Sequence, residues 1–304
     1  MPDLTYRVPT GAGSSLRTHR FGRIFGVPPG ALDRFLGRCY RHGMKQADVA
    51  DGPIQALVRS HGSRALANRH IHVSPEFRFI YFSNPKVACS STKATLNLAV
   101  AERQGIPLEI SSMEEVHNRG HNPLLTPRKM GWKKFGKMLE DPEVFRFTFV
   151  RDPLKRFVSA YRSKLDTNKR GSGQTQRLFA HMGWPKDYPL TLAEFARLVR
   201  TEPEALDLDP HWRPQRRQIG FDAVGFDFIG DHAAFDRDFG LVAQRIFGGP
   251  IEVFDTRKAF ERYTRVPHET EVTDDIRQAV AETYAEDYAM LDEIRDRGLG
   301  RLAA

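Results

Sequence analysis

A loop near the end of the first third of the chain carries groups that can bind an anion. The segment PKVACSSTK (residues 85–93) follows a β-rich run and leads into a predicted helix, so that backbone N–H groups converge at the helix start. Its polar and charged side chains are Lys86, Ser90, Ser91, Thr92 and Lys93. The segment lacks the Walker pattern G-x-x-x-x-G-K-[ST]. It predicts a phosphate site, although an ordinary helix start with hydroxyl caps fits the same residues.

A second candidate anion site follows the run VFRFTFV (residues 144–150). Arg151 comes directly after this predicted strand, and Ser159 lies eight residues later on the polar side of a predicted helix, near Arg156. An arginine fork and a hydroxyl together suit one phosphate group. The alternative is a surface arginine and a solvated helix face. Two such sites on neighbouring strand–helix turns indicate a ligand with two separated anionic groups.

Candidate proton acceptors lie between the two anion sites. His117 and His121 stand in a loop-like stretch, and Glu114 and Glu115 are carboxylate alternatives just before them. A histidine or carboxylate that removes a proton from a hydroxyl contributes typically about 10²–10⁴-fold to a rate. The histidine pair could instead bind a metal, but no third ligand stands nearby in the sequence. We predict His117 as the base, with His121 next, and no metal site.

The elements that position these residues alternate between strands and helices. The predicted strands are Phe77–Phe82, Val144–Val150 and Val224–Ile229, the last ended by Gly230. The predicted helices are Ser90–Gln104, one from Pro153 capped by Asp152, Leu192–Arg200 with a Thr191–Glu194 capping box, one reaching Phe247, and Thr273–Arg297. Strands separated by helices predict a parallel sheet covered on both faces, a three-layer α/β fold.

The rest of the chain is less patterned. Residues 1–70 suggest a cover segment with one short helix near Gly30–Tyr40, and Asn168–Gln176 suggests a surface loop. In the predicted helix from Pro153, an apolar stripe is expected to enter the core; it comprises Leu154, Phe157, Val158, Tyr161 and Leu165.

Composition restricts the class of protein. The 304 residues include 46 Lys+Arg against 38 Asp+Glu, a net charge of +8 that favours anionic partners. No basic run is dense enough for a nucleic-acid arm, and no apolar run reaches the roughly 18 residues of a membrane span. The two cysteines, Cys39 and Cys89, allow at most one disulfide and no cysteine zinc site. We expect Cys89 to be a packing residue rather than a nucleophile.

Taken together, the two motifs resemble a known family. PKVACSSTK resembles the 5′-phosphosulfate loop of sulfotransferases, and FTFVRDPLKRFVSAYRSKL resembles their 3′-phosphate motif. The later segments DPHWRPQ and GFDFIG are similar to the carbohydrate sulfotransferase group, which includes the chondroitin, dermatan and HNK-1 type enzymes. The resemblance covers roughly residues 76–245. It implies a P-loop-like fold, with residues 71–304 as the sulfotransferase-like domain.

The resemblance also implies a reaction and a set of site residues. The donor would be 3′-phosphoadenosine 5′-phosphosulfate, the acceptor a carbohydrate hydroxyl, and no metal would be required. Lys86 would contact the bridging oxygen of the phosphosulfate, and Arg151 and Ser159 would hold the 3′-phosphate. Backbone amides of Val87 to Ser90, with the Ser90 hydroxyl, would hold the 5′-phosphate. The donor-binding loop would comprise Val87, Ala88, Cys89, Ser90, Ser91, Thr92 and Lys93.

The resemblance implies an acceptor segment too. His211, Trp212 and Arg213 would line the acceptor side, Trp212 as a wall of the cleft and Arg213 against an anionic sugar. Where family members often have Asn-Trp after the loop hydroxyl, this chain has Ser91-Thr92, so an aromatic contact is missing there.

Two other functions fit parts of the pattern. An ATP-dependent kinase predicts a Walker lysine and a magnesium-binding aspartate, which the loop does not show. A non-catalytic protein that binds anionic glycans predicts a broken donor loop, yet Lys86, Ser90, Arg151 and Ser159 are all in place. Animal members of the family are anchored in the Golgi by an N-terminal span. Since no such span is found in this sequence, we expect a cytoplasmic, bacterial enzyme.

Overall fold

The computed structural model describes residues 52–118, 120–166, 173–260 and 271–300. The predicted helix near Gly30–Tyr40 lies outside these residues, as does Cys39. Residues 51–304 form one compact unit. Within the described ranges, none of the helices combines the length and the apolar character needed to cross a bilayer.

The described residues form four strands and fourteen α-helices. The strands are β1 (Ile71–Ser74), β2 (Phe79–Phe82), β3 (Phe145–Val150) and β4 (Phe228–Asp231). The first helices are α1 (Pro53–His61), α2 (Arg64–His70), α3 (Cys89–Arg103), α4 (Met113–His117), α5 (Pro127–Met130), α6 (Trp132–Glu140), α7 (Pro153–Lys164) and α8 (Gly173–Met182). The later ones are α9 (Leu192–Thr201), α10 (Gln215–Ile219), α11 (Phe235–Phe247), α12 (Thr256–Ala259), α13 (Asp274–Thr283) and α14 (Ala285–Asp296).

The sheet is mixed, in the order β1-β2-β3-β4. β2, β3 and β4 are parallel, as predicted, with Tyr81 opposite Phe147 and Phe147 opposite Phe228. The edge strand β1 pairs antiparallel with β2, which corrects the prediction of an all-parallel sheet. Only residues 75–78 separate β1 from β2, too few for the crossover that a parallel pair requires.

Both faces of the sheet are covered by helices. On one face, strand side chains pack with α3 and α11; they include Phe79, Tyr81, Phe147, Phe149 and Phe228. On the other face, they pack with α1, α6 and α14; they include Ile71, Val73, Ile80, Phe82, Val150 and Ile229. The continuous apolar strands follow from burial on both faces.

The two helices before β1 belong to this core. Leu57 of α1 and Ala67 of α2 are fully buried and pack in the same cluster as Ile71. The described part of the predicted cover segment, residues 52–70, is therefore an integral part of the α/β unit. For the rest of residues 1–70, a separate cover segment stays a prediction.

Helix α7 forms as its sequence predicts. The Asp152 carboxylate accepts a hydrogen bond from the amide of Lys155 at 2.8 Å, and Pro153 occupies the first turn. The apolar stripe lies in the core, where the Phe157 ring stacks on Phe195 with centroids 4.7 Å apart. The predicted capping box of α9 is also present.

Three boundaries differ from the predictions. β4 begins at Phe228 rather than Val224 and contains Gly230, where a Cβ would lie 2.4 Å from the Phe149 ring. Glycine is thus required by close packing, not as a strand terminator. The predicted loop Asn168–Gln176 is wrong at its end, because α8 starts at Gly173. The predicted helix Thr273–Arg297 is two helices that meet at Tyr284, whose hydroxyl donates to the Trp212 carbonyl at 2.6 Å.

Candidate functional site

The two predicted anion sites lie side by side at the carboxyl ends of β2 and β3. Arg151 Nη1 donates to the backbone carbonyl of Lys86 at 3.0 Å. Because β2 and β3 are parallel neighbours, the loops that follow them emerge at the same edge of the sheet, where ligands of such sheets bind. The structure therefore brings together the lysine and the arginine that the sequence placed 65 residues apart.

An amide network holds these two loops in register. Gln215 Oε1 accepts from Asn84 Nδ2 at 2.9 Å and from the Arg151 amide at 3.0 Å. Gln215 Nε2 donates to the Arg151 carbonyl at 2.8 Å, and Asn84 Nδ2 also reaches the Phe149 carbonyl at 3.2 Å. The side chains of Asn84 and Gln215 thus fix the backbone of the two loops, since a buried, well-connected polar network limits alternative conformations.

The loop after β2 has an unusual backbone. Lys86 and Ala88 have positive φ, at 71° and 49°, a region that glycine favours. The first backbone bond of α3 runs from Thr92 N to the Ala88 carbonyl at 3.0 Å, so the amides of residues 89–91 precede the helical ladder. No side chain caps this end and no acidic residue lies in its first turn. The helix start thus offers N–H donors to an anion.

Lys86 is poised beside this helix start. Its Nζ donates to Ser163 Oγ of α7 at 2.7 Å. Burial lowers the pKa of Lys86 to about 8, a direction that the nearby Cys89 opposes and that Lys164 and Arg151 reinforce. An anion bound between these cations would restore the charged form, because opposite charge favours it.

Arg156 does not lie on a solvated helix face. It is 1% exposed, and its guanidinium donates to three backbone carbonyls: Nε to Pro85 at 3.0 Å, Nη1 to Arg213 at 2.7 Å and Nη2 to Pro210 at 2.9 Å. The turn before Lys86 and the turn before His211 are thereby tied to α7.

Two hydroxyls of α3 make contacts within the protein. Ser91 Oγ lies 3.1 Å from Thr256 Oγ1 in α12, and Thr92 Oγ1 donates to the Ala88 carbonyl at 3.1 Å. Both side chains are buried and bonded within the protein, and direct binding of a ligand by them stays a prediction. Val87 is likewise fully buried. Cys89 is a free, half-buried thiol.

Lys93 does not extend into the loop either. It is 8% exposed, and its Nζ lies 2.7 Å from Nδ1 of His117 at the end of α4. A charged lysine donates to Nδ1 and places the ring proton of a neutral His117 on Nε2. In this arrangement His117 presents a donor rather than a proton acceptor.

The other predicted bases lie near the same helix. His121 and Glu114 are exposed. The Glu115 carboxylate accepts from the amides of Ser111 and Ser112 and from the Ser111 hydroxyl, as the capping group of α4. Those hydrogen bonds all fall on Oε2 and lower the pKa of Glu115, which disfavours this carboxylate as a base.

A histidine–carboxylate pair lies in the predicted acceptor segment. His211 Nδ1 bonds Asp209 Oδ1, the His211 amide donates to the same oxygen at 3.0 Å, and Arg177 of α8 donates to Oδ2. Asp209 is 1% exposed. Burial alone would raise the pKa of its carboxyl, but the hydrogen bonds from His211 hold that pKa below the usual value. Burial lowers the pKa of His211 to about 4, against the Asp209 bond, with Lys164 and Lys86 adding to the decrease.

Two further residues of that segment, Trp212 and Arg213, are buried and bonded within the protein. Trp212 is fully buried, its Nε1 donates to the Ala205 carbonyl at 2.8 Å and its ring packs edge-on against Phe195. Arg213 is 6% exposed and pairs through Nε with Asp207 at 2.8 Å. The carbonyls of both residues also accept hydrogen bonds, from Tyr284 and Arg156 respectively, and their contact with an acceptor sugar stays a prediction.

The predicted 3′-phosphate residues, Arg151 and Ser159, lie on consecutive elements, and their role stays a prediction. Arg151 is half-buried at the end of β3, and Ser159 is half-buried on α7, one helical turn before the Ser163 that contacts Lys86. Among the described residues, no group of three or more His, Cys, Asp and Glu side chains is arranged to hold a metal ion.

Some site residues were missed at the level of sequence. Gln215 and Asp209 both fall in the segment DPHWRPQ, whose polar residues were the available signal. For Asp287 of α14 the sequence offered no signal. Its carboxylate accepts from the amides of Gln215 and Arg216 at 2.9 Å, across more than 70 residues of the chain.

The sequence matches the profile of a known family over most of the described residues. The profile of the sulfotransferase family matches residues 69–292, which include both strand-end loops and α14 as far as residue 292. The chain therefore belongs to the sulfotransferase family.

Individual relatives carry a more specific name. Carbohydrate sulfotransferase 14 of Mus musculus is 30% identical over 208 residues, which cover 66% of this chain and 53% of that protein. Carbohydrate sulfotransferase 12 of Xenopus laevis is 25% identical over 205 residues, covering 58% and 48%. Carbohydrate sulfotransferase 8 of Homo sapiens is 22% identical over 228 residues, covering 69% and 51%. The chain spans about half the length of these relatives, and no solved structure matches it.

Proposed function

We propose that this protein transfers a sulfuryl group from 3′-phosphoadenosine 5′-phosphosulfate to a carbohydrate hydroxyl. The observation that carries the proposal is the contact between Arg151 and the Lys86 carbonyl, because it brings the two strand-end loops together, as a ligand with two separated charges would require. Membership of the sulfotransferase family and the names of the relatives support it. We also propose that the α/β unit is P-loop-like, with the loop before α3 in the place of the Walker loop.

The residues divide the donor between them. The amides at the start of α3 and the Ser90 hydroxyl would hold the 5′-phosphate, and Arg151 with Ser159 would hold the 3′-phosphate. Lys86 would stabilise the negative charge that develops on the bridging oxygen as the sulfur–oxygen bond breaks. Fixed donors directed at a developing charge lower the barrier because they need no reorganisation during the reaction.

The acceptor side is proposed from chemistry and from the relatives. The net charge of +8 favours an acidic saccharide, and a neutral sugar hydroxyl is the alternative within the same class. A cytoplasmic location and a bacterial origin stay predictions.

Transfer of radiolabelled sulfate from the donor onto a panel of polysaccharides, read by mass, tests the function. Label on a saccharide supports it. In parallel, adenosine 3′,5′-bisphosphate at about 100 Kd should raise the free energy of unfolding by about 2.7 kcal/mol. Stabilisation by ATP and magnesium alone would favour a kinase, and glycan binding without transfer or nucleotide binding would favour a glycan-binding protein.

Arg151→Ala makes the same experiment specific to the site. Loss of a charge-assisted phosphate contact should cost about 1.5–3 kcal/mol of nucleotide binding, measured by calorimetry. Arg197→Ala on the exposed side of α9 is the matched control and should bind as the wild type does. Equal affinity in the two variants would show that Arg151 is misassigned.

A further inference from the structure

His211 and Asp209 have the geometry of a general base and the carboxylate that orients it. With the Asp209 carboxylate on Nδ1, the proton of a neutral His211 ring is on Nδ1, and Nε2 carries a lone pair. Arg177 neutralises the other carboxylate oxygen, and Asp209 is buried, so the carboxylate is fixed in place. The His211 side chain keeps 21% of its surface exposed, so solvent and a ligand can reach the ring.

His211 also lies beside the proposed leaving-group site. The carbonyls of Pro85 and Pro210 accept from the same Arg156 guanidinium, and Lys86 and His211 are the residues that follow those two prolines. The positive charge of Lys86 also contributes to lowering the pKa of His211. The proton acceptor and the cation that stabilises the leaving oxygen are thus held by one rigid connection.

The predicted base His117 has the opposite arrangement. Its Nδ1 faces the Lys93 ammonium at 2.7 Å, so Nε2 carries the proton and can only donate. A carboxylate on Nδ1, as in His211, both selects the accepting tautomer and stabilises the imidazolium that forms, whereas a cation on Nδ1 does neither.

We propose that His211, positioned by Asp209, is the general base for the proposed sulfuryl transfer. His211 Nε2 takes the proton of the acceptor hydroxyl while the hydroxyl oxygen forms a bond to sulfur. The bond from sulfur to the bridging oxygen breaks, and its electron pair stays on the 5′-phosphate beside Lys86. The products are the sulfate ester, adenosine 3′,5′-bisphosphate and a proton on His211 that passes to solvent. The inference rests on the proposed function.

The surroundings of His211 favour its neutral, accepting form. Burial and the cations Lys86 and Lys164 keep the pKa of the ring at about 4, so it is unprotonated at neutral pH. The negative charges of a bound sulfuryl donor would offset those two cations. The His211 ring would therefore be more basic in the donor-bound protein, to which the acceptor binds.

The test measures three quantities in His211→Ala and His211→Gln, with the panel saccharide that the wild-type protein sulfates. We expect kcat to fall at least about 100-fold in both variants, since a general base typically contributes 10²–10⁴-fold. Nucleotide affinity by calorimetry should be unchanged. Free imidazole should restore turnover to His211→Ala, because the partly exposed site can admit the missing base, but not to His211→Gln, where the side chain fills it.

Asp209→Asn and His181→Ala complete the design. Asp209→Asn should lower kcat while nucleotide affinity holds, because the amide no longer selects the accepting tautomer of His211. His181 is exposed on α8, and its alanine variant should behave as the wild type.

The outcomes separate this inference from the proposed function. Retained kcat in His211→Ala, loss of nucleotide binding in both His211 variants, or failure of imidazole to rescue would overturn the role of His211. Imidazole rescue of His117→Ala instead would assign the base to His117. A wild-type protein that transfers no sulfate to any acceptor would overturn the proposed function, and this inference with it.

Discussion

At the scale of single residues, the guanidinium of Arg156 connects parts of the site that are distant in sequence. It is buried, makes hydrogen bonds to three carbonyls, and lies close enough to Asp287 for the two charges to interact. Burial raises the pKa of Asp287 to about 6, and Arg156 acts against that rise. The planar fork of an arginine suits this position, since an ammonium cannot meet three carbonyls in one plane.

Arg156→Lys should therefore destabilise the protein although it keeps the charge. We expect the free energy of unfolding to fall by about 2–4 kcal/mol, because buried carbonyls lose charge-assisted donors. Chemical denaturation measures the change, and Arg197→Lys on an exposed helix face is the control, expected within about 0.5 kcal/mol of the wild type. If the two variants are equally stable, the three contacts contribute nothing net.

At the scale of elements, helix α3 is preceded by a loop whose backbone is strained. Ala88 occupies the N-cap position with φ 49° and ψ 19°, where an L-residue costs roughly 1–2 kcal/mol. The turn directs the amides of residues 89–91 outward in place of a side-chain cap. This loop lacks the glycines of the Walker pattern. Instead, the non-glycine residues Lys86 and Ala88 adopt the positive φ angles that glycine favours.

Two substitutions at Ala88 should have opposite effects. Ala88→Gly relieves the strain but makes the unfolded chain more flexible, so we expect stability unchanged or up to about 1 kcal/mol higher, with nucleotide binding kept. Ala88→Val adds a β-branched side chain in this conformation and should lower both stability and nucleotide affinity. Chemical denaturation measures the stability of the two variants, and calorimetry measures their nucleotide affinity. Equal stability and affinity in the valine and glycine variants would contradict the proposed strain.

At the scale of the whole molecule, buried neutral histidines make stability depend on pH. Burial lowers the pKa of His61, and of His232, to about 4. In the window between about 4 and the ordinary value of 6.5, the unfolded chain binds protons that the folded protein does not. The stability that depends on keeping these histidines neutral is therefore fully present above pH 6.5. The free energy of unfolding decreases as the pH falls towards 4.

His61→Gln should weaken this dependence. His61 is 1% exposed and contributes up to about 1.4 kcal/mol per pH unit within the window. Denaturation at several pH values between about 7 and 5 should give a shallower slope for the variant than for the wild type, whatever its absolute stability. His181→Gln, at an exposed position, should keep the wild-type slope. Parallel slopes for wild type and His61→Gln would contradict the assignment.

The fold was predictable where local signals were strong. The strand–loop–helix units at β2 and β3, the Asp152 cap and the α9 capping box all rest on residues a few positions apart. β1 was not predictable, because four residues with two polar side chains carry little periodic signal. The break at Tyr284 was hidden because the two helices keep a continuous amphipathic pattern.

The site was predictable only in its donor loops. Lys86 and Arg151 follow strands, and the topology of a parallel sheet brings them together. The orientation of Arg156 was missed because charged residues at helical spacing usually face solvent, and nothing local shows that three carbonyls lie opposite. Gln215 was missed as a connector because its partner Asn84 is 131 positions away.

The dependence of the donor loops on the far end of the chain has a consequence for chimeras. Asp287 holds the backbone of Gln215, Gln215 holds Asn84 and Arg151, and Tyr284 holds the backbone of Trp212. A hybrid that takes its nucleotide loops from one sulfotransferase and its last two helices from another would join halves shaped for different partners. Swapping specificity between relatives therefore requires that residues 284–287 travel with the loops they support.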